Sequence, residues 1–265
     1  MSSEVAASTF HGDTVRDRVA FVTGGGTGIG KVIARTLGHH GAKLAIASRK
    51  EENLDAACRE FEAEGLECTA SVCDVRRPDE VEQAIANVLG HYGRLDIVIN
   101  NAAGNFPAPL AGISHNGFKA VVDIDLLGTF NVSRAAFDAW LKDHGGDIVN
   151  ITAPFAGIGV AYQAHVAAAK MGVDSLTRSC AVEWGPKGIR VNGVAPGSIE
   201  DTEGRARFDQ ISDGSSGSPL GRHGTRQDIA NAVLFLVSDA AAYISGQILT
   251  VDGAATVDLL KVPVP

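Results

Sequence analysis

Short runs of β-branched and other apolar residues recur along this chain between longer segments with helical periodicity. The seven runs are RVAFVTG, KLAIAS, CTASVCDV, LDIVINNA, GDIVNIT, IRVNGVAP and QILTVDG. Continuous apolar strands that alternate with helices favour a parallel sheet covered on both faces, because each crossover places a helix against the sheet. The alternation predicts an α/β fold with a doubly wound, seven-stranded parallel sheet flanked by helices.

The segments between these runs predict six helices with ordinary capping signals. They cover residues 28–41, 50–65, 78–91, 114–144, 161–184 and 227–239. No Pro-rich linker or repeat divides the 265 residues, so we expect a single domain over 1–265 with a flexible N-terminus at 1–14. The span 196–225, rich in glycine, serine and charge, is expected to be a substrate lid, because long loops beyond the strand ends of α/β enzymes commonly have that role.

Charge and hydrophobicity exclude several classes of protein. The net charge of −8 argues against a nucleic-acid surface, and no apolar run approaches the length that spans a membrane. The opening residues lack the basic and apolar regions of a secretion signal, and the C-terminal VPVP is not a peroxisomal signal of the SKL kind. Cys58, Cys68, Cys73 and Cys180 show no metal-ligand spacing, so reduced, packed thiols and no metal site are expected. These features predict a soluble, cytoplasmic protein.

A glycine-rich turn, TGGGTGIG at residues 23–30, follows the first predicted strand and leads directly into a helix. Glycines at this place permit a tight turn, and they let the backbone and the helix amides approach a pyrophosphate. The expected phosphate-binding residues are Gly24, Gly26, Thr27, Gly28, Ile29 and Gly30. The alternative is a flexible turn that binds no ligand.

The end of the second strand indicates which dinucleotide is bound. An acidic residue at this place would bind an adenosine 2′-hydroxyl and select NAD, whereas this chain has Ser48, Arg49 and Lys50. A hydroxyl and two cations suit a 2′-phosphate, so NADPH is the predicted cofactor. The alternative is that the two cations only solvate a helix start. Asp74, with the adjoining Val75, ends the third strand and is expected near the adenine, although a strand-end turn would also use an aspartate.

Four motifs in order give a resemblance to a known family. They are the glycine-rich turn, the segment Asn100-Asn101-Ala102-Ala103-Gly104 after the fourth strand, Lys170, and Pro196-Gly197 after the sixth. Together they resemble the short-chain dehydrogenase/reductases from about residue 18 to residue 253. The resemblance implies a Rossmann domain that commonly forms tetramers. It implies that Lys170 holds the nicotinamide ribose, and that the remaining cofactor contacts are made by Asn101, Ala102, Ala103, Gly104, Pro196, Gly197, Ile199 and Thr202.

The catalytic positions depart from the usual family pattern. Most members have a tyrosine four residues before the lysine, a serine after the preceding strand and an asparagine in the fourth helix, but Val166, Ala153 and Asp125 stand at these places. Tyr162 is a candidate replacement, yet eight residues of helix would separate it from Lys170 by about 12 Å, so it fits only if the helix starts late. Either the chain has lost its chemistry and only binds or senses NADP(H), or its chemistry needs no phenol.

Reduction of a conjugated carbon–carbon double bond is one chemistry that needs no phenol. Hydride adds at the far end of the conjugated system, the negative charge spreads to a thioester oxygen, and a proton later joins carbon. The segments AAGNF at 102–106, VDID at 122–125, IVNITA at 148–153 and AVEWGP at 181–186 resemble the peroxisomal-type 2,4-dienoyl-CoA reductases, a branch that also lacks the tyrosine and serine. That resemblance implies NADPH-dependent reduction of a 2,4-dienoyl-CoA to a trans-3-enoyl-CoA. Phe155 stands where the mitochondrial-type enzymes place a tyrosine, which excludes their arrangement.

The resemblance implies that Asp125 and Lys170 are the catalytic pair. A carboxylate inside the apolar helix FKAVVDIDLLGTFNV is costly unless it is paired, and Lys170 is the expected partner. Our hypothesis is that Asp125 delivers a proton through a water to the α-carbon, while Lys170 binds the ribose and lends positive charge. The alternative is a structural ion pair.

Several aromatic and polar residues are expected to contact an acyl-CoA substrate. They are Asn105, Phe106, Phe118, Phe155 and His165. For the aromatic residues and His165, simple packing is an equal alternative. Arg205, Arg207 and Arg222 suit the phosphates of coenzyme A but also suit a solvated loop. The amphipathic fourth and sixth predicted helices favour oligomerisation, and the family resemblance implies a homotetramer. The enzymatic alternative is a 3-oxoacyl or other carbonyl reductase with a different acid.

Overall fold

The sheet has the predicted α/β architecture. In this computed structural model the described residues are 10–208 and 217–258. Seven parallel strands lie in the order β3-β2-β1-β4-β5-β6-β7. They are β1 Val19–Thr23, β2 Lys43–Ser48, β3 Cys68–Val72, β4 Ile97–Asn100, β5 Gly146–Ile151, β6 Ile189–Pro196 and β7 Ile248–Val251. All seven predicted strands and the doubly wound topology are confirmed.

The helices cover both faces of this sheet. They are α1 Gly28–His39, α2 Glu51–Ala63, α3 Pro78–Tyr92, α4 His115–Val122, α5 Gly128–Ala136, α6 Lys142–His144, α7 Ala164–Trp184, α8 Glu203–Phe208 and α9 Arg226–Val237. The helix predicted at 114–144 is continuous, but π-helical segments at Asp123–Leu127 and Phe137–Leu141 join its three α-helical parts. Within the predicted lid, the short helix α8 was not expected, and residues 209–216 lie outside the described residues.

Side chains that alternate along each strand form two hydrophobic cores, one on each face of the sheet. In β1, Ala20 and Val22 pack with the side of the sheet that α1 and α9 cover, whereas Val19 and Phe21 pack with the side that α3 and α5 cover. A strand whose residues are buried on both faces must be apolar throughout, which explains the continuous hydrophobic runs. No helix in the described part of the chain is long and apolar enough to cross a membrane.

The strand order creates the crevice that positions the site. From β1 the chain adds strands outward to β3, then returns to place β4 next to β1 and adds strands in the opposite direction to β7. The strand order therefore reverses between β1 and β4. Ligands of doubly wound folds bind at the carboxyl ends of the strands at such a switch point. The N-terminal segment is anchored at the opposite end, where Val15 is buried and Phe10 packs against the core, while residues 1–9 of the expected flexible N-terminus lie outside the described residues.

Candidate active site

The glycine-rich turn has the backbone conformation of an anion cradle. Gly24 and Gly28 have φ values of +66° and +55°, in the left-handed region that favours glycine. A Cβ at Gly30 would lie 2.4 Å from both Gly24 O and Asn101 Nδ2, so the close packing of α1 on β1 requires glycine there. Thr27 is the N-cap of α1, but its side chain makes no capping hydrogen bond. The first amides of α1, with Ile29 among them, therefore suit a bound pyrophosphate.

Thr23 and Asn101 hold the glycine-rich turn against the end of β4 through hydrogen bonds. The buried Thr23 Oγ1 accepts hydrogen bonds from the Asn101 N–H at 3.0 Å and the Ala102 N–H at 3.1 Å. Asn101 Nδ2 in turn donates to Thr23 O at 3.0 Å. The side chain of Asn101 is thus committed to joining β4 to the glycine-rich turn. Thr23 is the first residue of the glycine-rich motif but was not among the predicted binding residues.

The cationic end of β2 is open to solvent. Arg49 and Lys50 are exposed and form no ion pair with any described residue, and Ser48 Oγ donates to Lys50 O at 3.2 Å. Asp74 is engaged by Arg76, whose Nε lies 2.9 Å from Oδ1, and this contact, opposed by burial and helped by Arg49, lowers the pKa of Asp74. Arg76 is therefore neutralised by Asp74, and Arg49 and Lys50 remain the two cations without an ion-pair partner among the described residues at this end of β2.

Val75 fixes the long helix against the end of β3. Its side chain packs on Gly128, where an added Cβ would lie 2.5 Å from Val75 Cγ2. Its carbonyl accepts a hydrogen bond from Asn131 Nδ2 at 2.9 Å. Beyond β4, Ala102 is partly buried and Ala103 is exposed, so the loop turns outward before Gly104.

The segment after β6 closes the other side of the crevice. Pro196 pairs with Val251 of β7, whose carbonyl accepts the Gly197 N–H at 2.9 Å. The buried Ile199 forms a bridge with Gly224 across the predicted lid. Thr202 Oγ1 donates to Ile199 O at 2.9 Å and accepts the Arg205 N–H at 3.2 Å, which caps α8.

Asp125 lies at the centre of the first π-helical segment. Its side chain is 1% exposed, and Oδ1 accepts the Gly104 N–H at 2.7 Å. Oδ2 lies 3.4 Å from Lys170 Nζ and has no hydrogen-bond partner among the described residues. A π turn holds one more residue than an α turn, and such turns recur at functional sites. The sequence contained no signal for this segment.

Lys170 joins this carboxylate to the end of β5. Its side chain is 7% exposed and Nζ donates to Ile151 O at 2.8 Å. One helical turn further along α7, Asp174 Oδ1 accepts a hydrogen bond from Thr152 Oγ1 at 2.6 Å. Burial raises the pKa of Asp174, against the lowering effects of Thr152, Arg178 and Lys170. Asp174 was missed, although an acid four residues after Lys170 on an apolar helix was a readable signal.

Buried polar atoms without partners cluster beside this pair. His165 is 0% exposed, and its ring centroid lies 4.4 Å from that of Phe106. In the described part of the chain neither ring nitrogen of His165 makes a hydrogen bond, and the same holds for Gln163 Oε1 and Asn105 Oδ1. Burial lowers the pKa of His165, although the Phe106 backbone and Asp125 oppose the shift, so the neutral imidazole is favoured. Unpaired buried polar groups are uncommon and indicate a place for a ligand or water.

The other predicted substrate residues divide into two groups. Phe106 and Phe155 pack against the cluster formed by Val121, Val166 and Ala169. Phe118 is 36% exposed, on α4.

The loop arginines each contact the chain itself. Arg222 Nη1 lies 2.8 Å from Asp228 Oδ2, Arg205 contacts His223, and Arg207 donates to the carbonyl of Asn105.

The chain matches a family model over nearly its whole length. Residues 24–256 match the model described as enoyl-(acyl carrier protein) reductase. The protein named peroxisomal 2,4-dienoyl-CoA reductase [(3E)-enoyl-CoA-producing] is 46% identical to this chain in Danio rerio, covering 92% of this chain and 83% of that protein. Its Pongo abelii counterpart is 47% identical, covering 92% and 85%. The chain belongs to the short-chain dehydrogenase/reductase family.

A solved member of this family has the same fold. The structure of the citronellol catabolism dehydrogenase AtuB from Pseudomonas aeruginosa PAO1 is 38% identical in sequence, with a TM-score of 0.85, and covers 94% of this chain and 99% of that chain. Membership of the short-chain dehydrogenase/reductases makes this protein an oxidoreductase and implies a nicotinamide cofactor.

The position of the usual family tyrosine is part of the apolar core. Val166 is 4% exposed and packs with Val121 and Ala169, while Ala153 is also buried. The helix predicted from residue 161 begins at Ala164, so that part of the helix prediction is wrong. Tyr162 precedes α7 with φ +66° and is 42% exposed. A residue with positive φ cannot continue a right-handed helix, which explains the late start.

Proposed function

We propose that this protein reduces 2,4-dienoyl-CoA esters to trans-3-enoyl-CoA with NADPH as hydride donor. The observation that carries the proposal is the buried pair of Asp125 and Lys170, whose charged atoms lie 3.4 Å apart in a site without the family's tyrosine and serine. Relatives at 46–47% identity with this named activity support it. Carbonyl reduction needs an acid at the substrate oxygen, whereas protonation at carbon tolerates a different acid.

The cofactor part of the proposal rests on two regions of the crevice. The uncapped start of α1, with Gly24, Gly26 and Gly28, would bind the pyrophosphate, and Ser48, Arg49 and Lys50 would bind the 2′-phosphate. Asn101 to Gly104 and Pro196 to Thr202 would line the adenosine and nicotinamide sides, and Lys170 would hold the ribose. Bound NADPH supplies the hydride.

Asp125 is the proposed source of the proton. Its Oδ1 is held by the Gly104 N–H at 2.7 Å, so Oδ2 has a fixed direction and no competing hydrogen bond from a described residue. Once Oδ2 has taken up a proton from solvent, it would pass that proton through one water to the α-carbon after hydride addition at the far end of the diene, and the carboxylate left behind would pair again with Lys170. Protonation at the α-carbon leaves the remaining double bond between carbons 3 and 4, which gives the 3-enoyl product.

His165, Asn105 and Gln163 are proposed to face the thioester. The neutral imidazole of His165 has one N–H to donate to the thioester oxygen, whereas the unpaired atoms of Asn105 and Gln163 are amide oxygens, which would accept hydrogen bonds from a bound water or ligand. Donors in a buried site stabilise the charge that develops on the thioester oxygen more strongly than donors in water. Phe106 and Phe155 would flank the acyl chain, and Phe118 would stand at its mouth.

A direct comparison of two substrates tests this function. NADPH oxidation is followed with 2,4-hexadienoyl-CoA and with acetoacetyl-CoA, and the product of the first is identified by NMR. We expect turnover of the dienoyl ester and a 3-enoyl product. Turnover of acetoacetyl-CoA alone would assign a carbonyl reductase, and tight NADPH binding without turnover of either ester would assign a binding protein.

We further propose a cytoplasmic homotetramer. Leu127 and Phe130 are 46% exposed on neighbouring turns of the long helix, and a groove lined by Phe137, Leu176 and Trp184 lies beside them. Exposed apolar area of this kind is typical of subunit interfaces. Light scattering after size-exclusion chromatography would measure the mass, and imaging of a fluorescent fusion in the source cell would test the location.

A further inference from the structure

Two cysteines that are ten positions apart in sequence meet beside the edge strand of the sheet. Cys58 lies on α2 and Cys68 is the first residue of β3, and their Sγ atoms are 3.1 Å apart. The chain between them ends α2 and turns at Gly65, which has φ +77°. Both cysteine residues are partly exposed, so the pair lies near the surface of the protein. Packed thiols were predicted at all four cysteines, and this contact has no signal in the sequence.

The other two cysteines provide a contrast inside the same chain. Cys73 and Cys180 are buried, and burial raises the pKa of each thiol to about 11. A buried thiol with a raised pKa holds little thiolate, which is the nucleophilic form. Reactivity toward oxidants is therefore expected at the 58–68 contact and not at these two sites.

The two sulfurs in contact are not equivalent. A hydrogen bond from the Cys68 thiol lowers the pKa of Cys58, against the opposing effects of burial, Glu62 and Asp55. The same contact, with burial, raises the pKa of Cys68. Cys58 is thus the better nucleophile, and Cys68 is placed to react with whatever forms on it.

The geometry points to a reversible dithiol oxidation site at Cys58 and Cys68 that reacts with hydroperoxides. The Cys58 thiolate attacks one oxygen of hydrogen peroxide, the O–O bond breaks, and the leaving oxygen takes a proton to form water. Cys58 is then a sulfenic acid. The Cys68 sulfur attacks the Cys58 sulfur, the S–O bond breaks, and the hydroxyl leaves as a second water with the Cys68 proton. The two thiols have given up two electrons to the peroxide, and a dithiol reductant restores them.

The new bond would stabilise the fold without reaching the candidate active site. Bringing the sulfurs from 3.1 Å to the length of a disulfide, about 2.05 Å, requires an approach of about 1 Å, which small side-chain rotations supply. The bond would tie α2 to the amino end of β3, whereas Lys170 contacts the carboxyl end of β5. The site is independent of the proposed reductase activity, so failure of one proposal does not affect the other.

The experiment treats the full-length protein with hydrogen peroxide and counts alkylatable thiols under denaturing conditions. The variants are Cys58→Ser and Cys68→Ser, and Cys180→Ala is the control at a buried thiol. Intact mass, peptide mapping without reductant and a sulfenic-acid probe identify the products. Circular dichroism verifies that each variant is folded.

We expect the wild type and Cys180→Ala to form a 58–68 disulfide within one chain, which reductant reverses. Oxidation should raise Tm by about 3–8 °C, because the crosslink restricts the unfolded chain. Cys68→Ser should accumulate the Cys58 sulfenic acid, and Cys58→Ser should lose at least tenfold in oxidation rate. Equal oxidation rates in Cys58→Ser and wild type, or sulfinic acid at Cys58 without a disulfide, would overturn the proposal.

Discussion

Replacement of Asp125 by asparagine would remove the negative charge of this side chain and keep its shape. In the wild type, the Gly104 N–H donates to Asp125 Oδ1 at 2.7 Å, and the amide oxygen of an asparagine could still accept this hydrogen bond. The substitution would remove the negative charge that lies 3.4 Å from Lys170 Nζ. At an effective dielectric constant of about 20, the attraction at this distance is about 5 kcal/mol. Desolvation of both groups offsets part of it, and Lys170 keeps its hydrogen bond to Ile151 O. We expect Asp125→Asn to lower the free energy of unfolding by about 2–3 kcal/mol.

The expected kinetic effect of Asp125→Asn is larger than its effect on cofactor binding. Loss of a positioned acid reduces kcat by about 10²–10⁴-fold, which corresponds to about 3–5 kcal/mol of transition-state stabilisation. The assay is NADPH oxidation with 2,4-hexadienoyl-CoA, together with the NADPH Kd from fluorescence. Asp123→Asn is the matched control, because Asp123 lies in the same π segment but pairs with Lys119 at the surface.

Two results would refute this account of Asp125. If Asp125→Asn kept kcat within threefold of the wild type, Asp125 would not be the acid. If kcat fell only together with a loss of NADPH affinity by the same factor, and saturating NADPH restored it, the pair would act by holding Lys170 in place.

Three further predictions concern other parts of the site. Val166→Tyr should lower the free energy of unfolding in urea by about 1–3 kcal/mol, because the valine is 4% exposed in a packed cluster. Arg49→Ala and Lys50→Ala should each reduce kcat/KM for NADPH by about tenfold and leave kcat/KM for NADH unchanged. Lys43→Ala, at the other end of β2, should leave kcat/KM unchanged for both cofactors. Burial lowers the pKa of His165, so the unfolded chain binds more protons between the two pKa values and Tm should fall as pH decreases from about 7 to 5, with a smaller slope in His165→Phe.

Each of these predictions has a contradicting outcome. Unchanged stability of Val166→Tyr would mean that the cluster has room for a phenol. Equal losses with NADPH and NADH would mean that the two cations do not select the 2′-phosphate. An identical pH slope of Tm in His165→Phe and the wild type would assign the slope to other groups.

The sequence predicts the sheet well because burial on both faces leaves little choice of residue in strands such as β1 and β4. Lys170 and Asp125 were identified as partners because a charge inside an apolar helix must be neutralised, and their charged atoms lie 3.4 Å apart. The late start of α7 depends on one positive φ at Tyr162, a conformation that a tyrosine seldom adopts and that its identity therefore does not signal. The contact of Cys58 with Cys68 depends on how α2 packs beside β3, and that geometry is tertiary.

The π-helical segment sets the surroundings of Asp125, the proposed acid. A buried ion pair adds little net stability, and Asp125 Oδ2 has no hydrogen bond within the described residues beyond its contact with Lys170. The π turn at Asp123–Leu127 and the Gly104 N–H hold this carboxylate 3.4 Å from Lys170 Nζ. A structure that only needed stability would be better served by an apolar side chain there. The incompletely bonded carboxylate therefore supports the proposed reaction, which would use this oxygen.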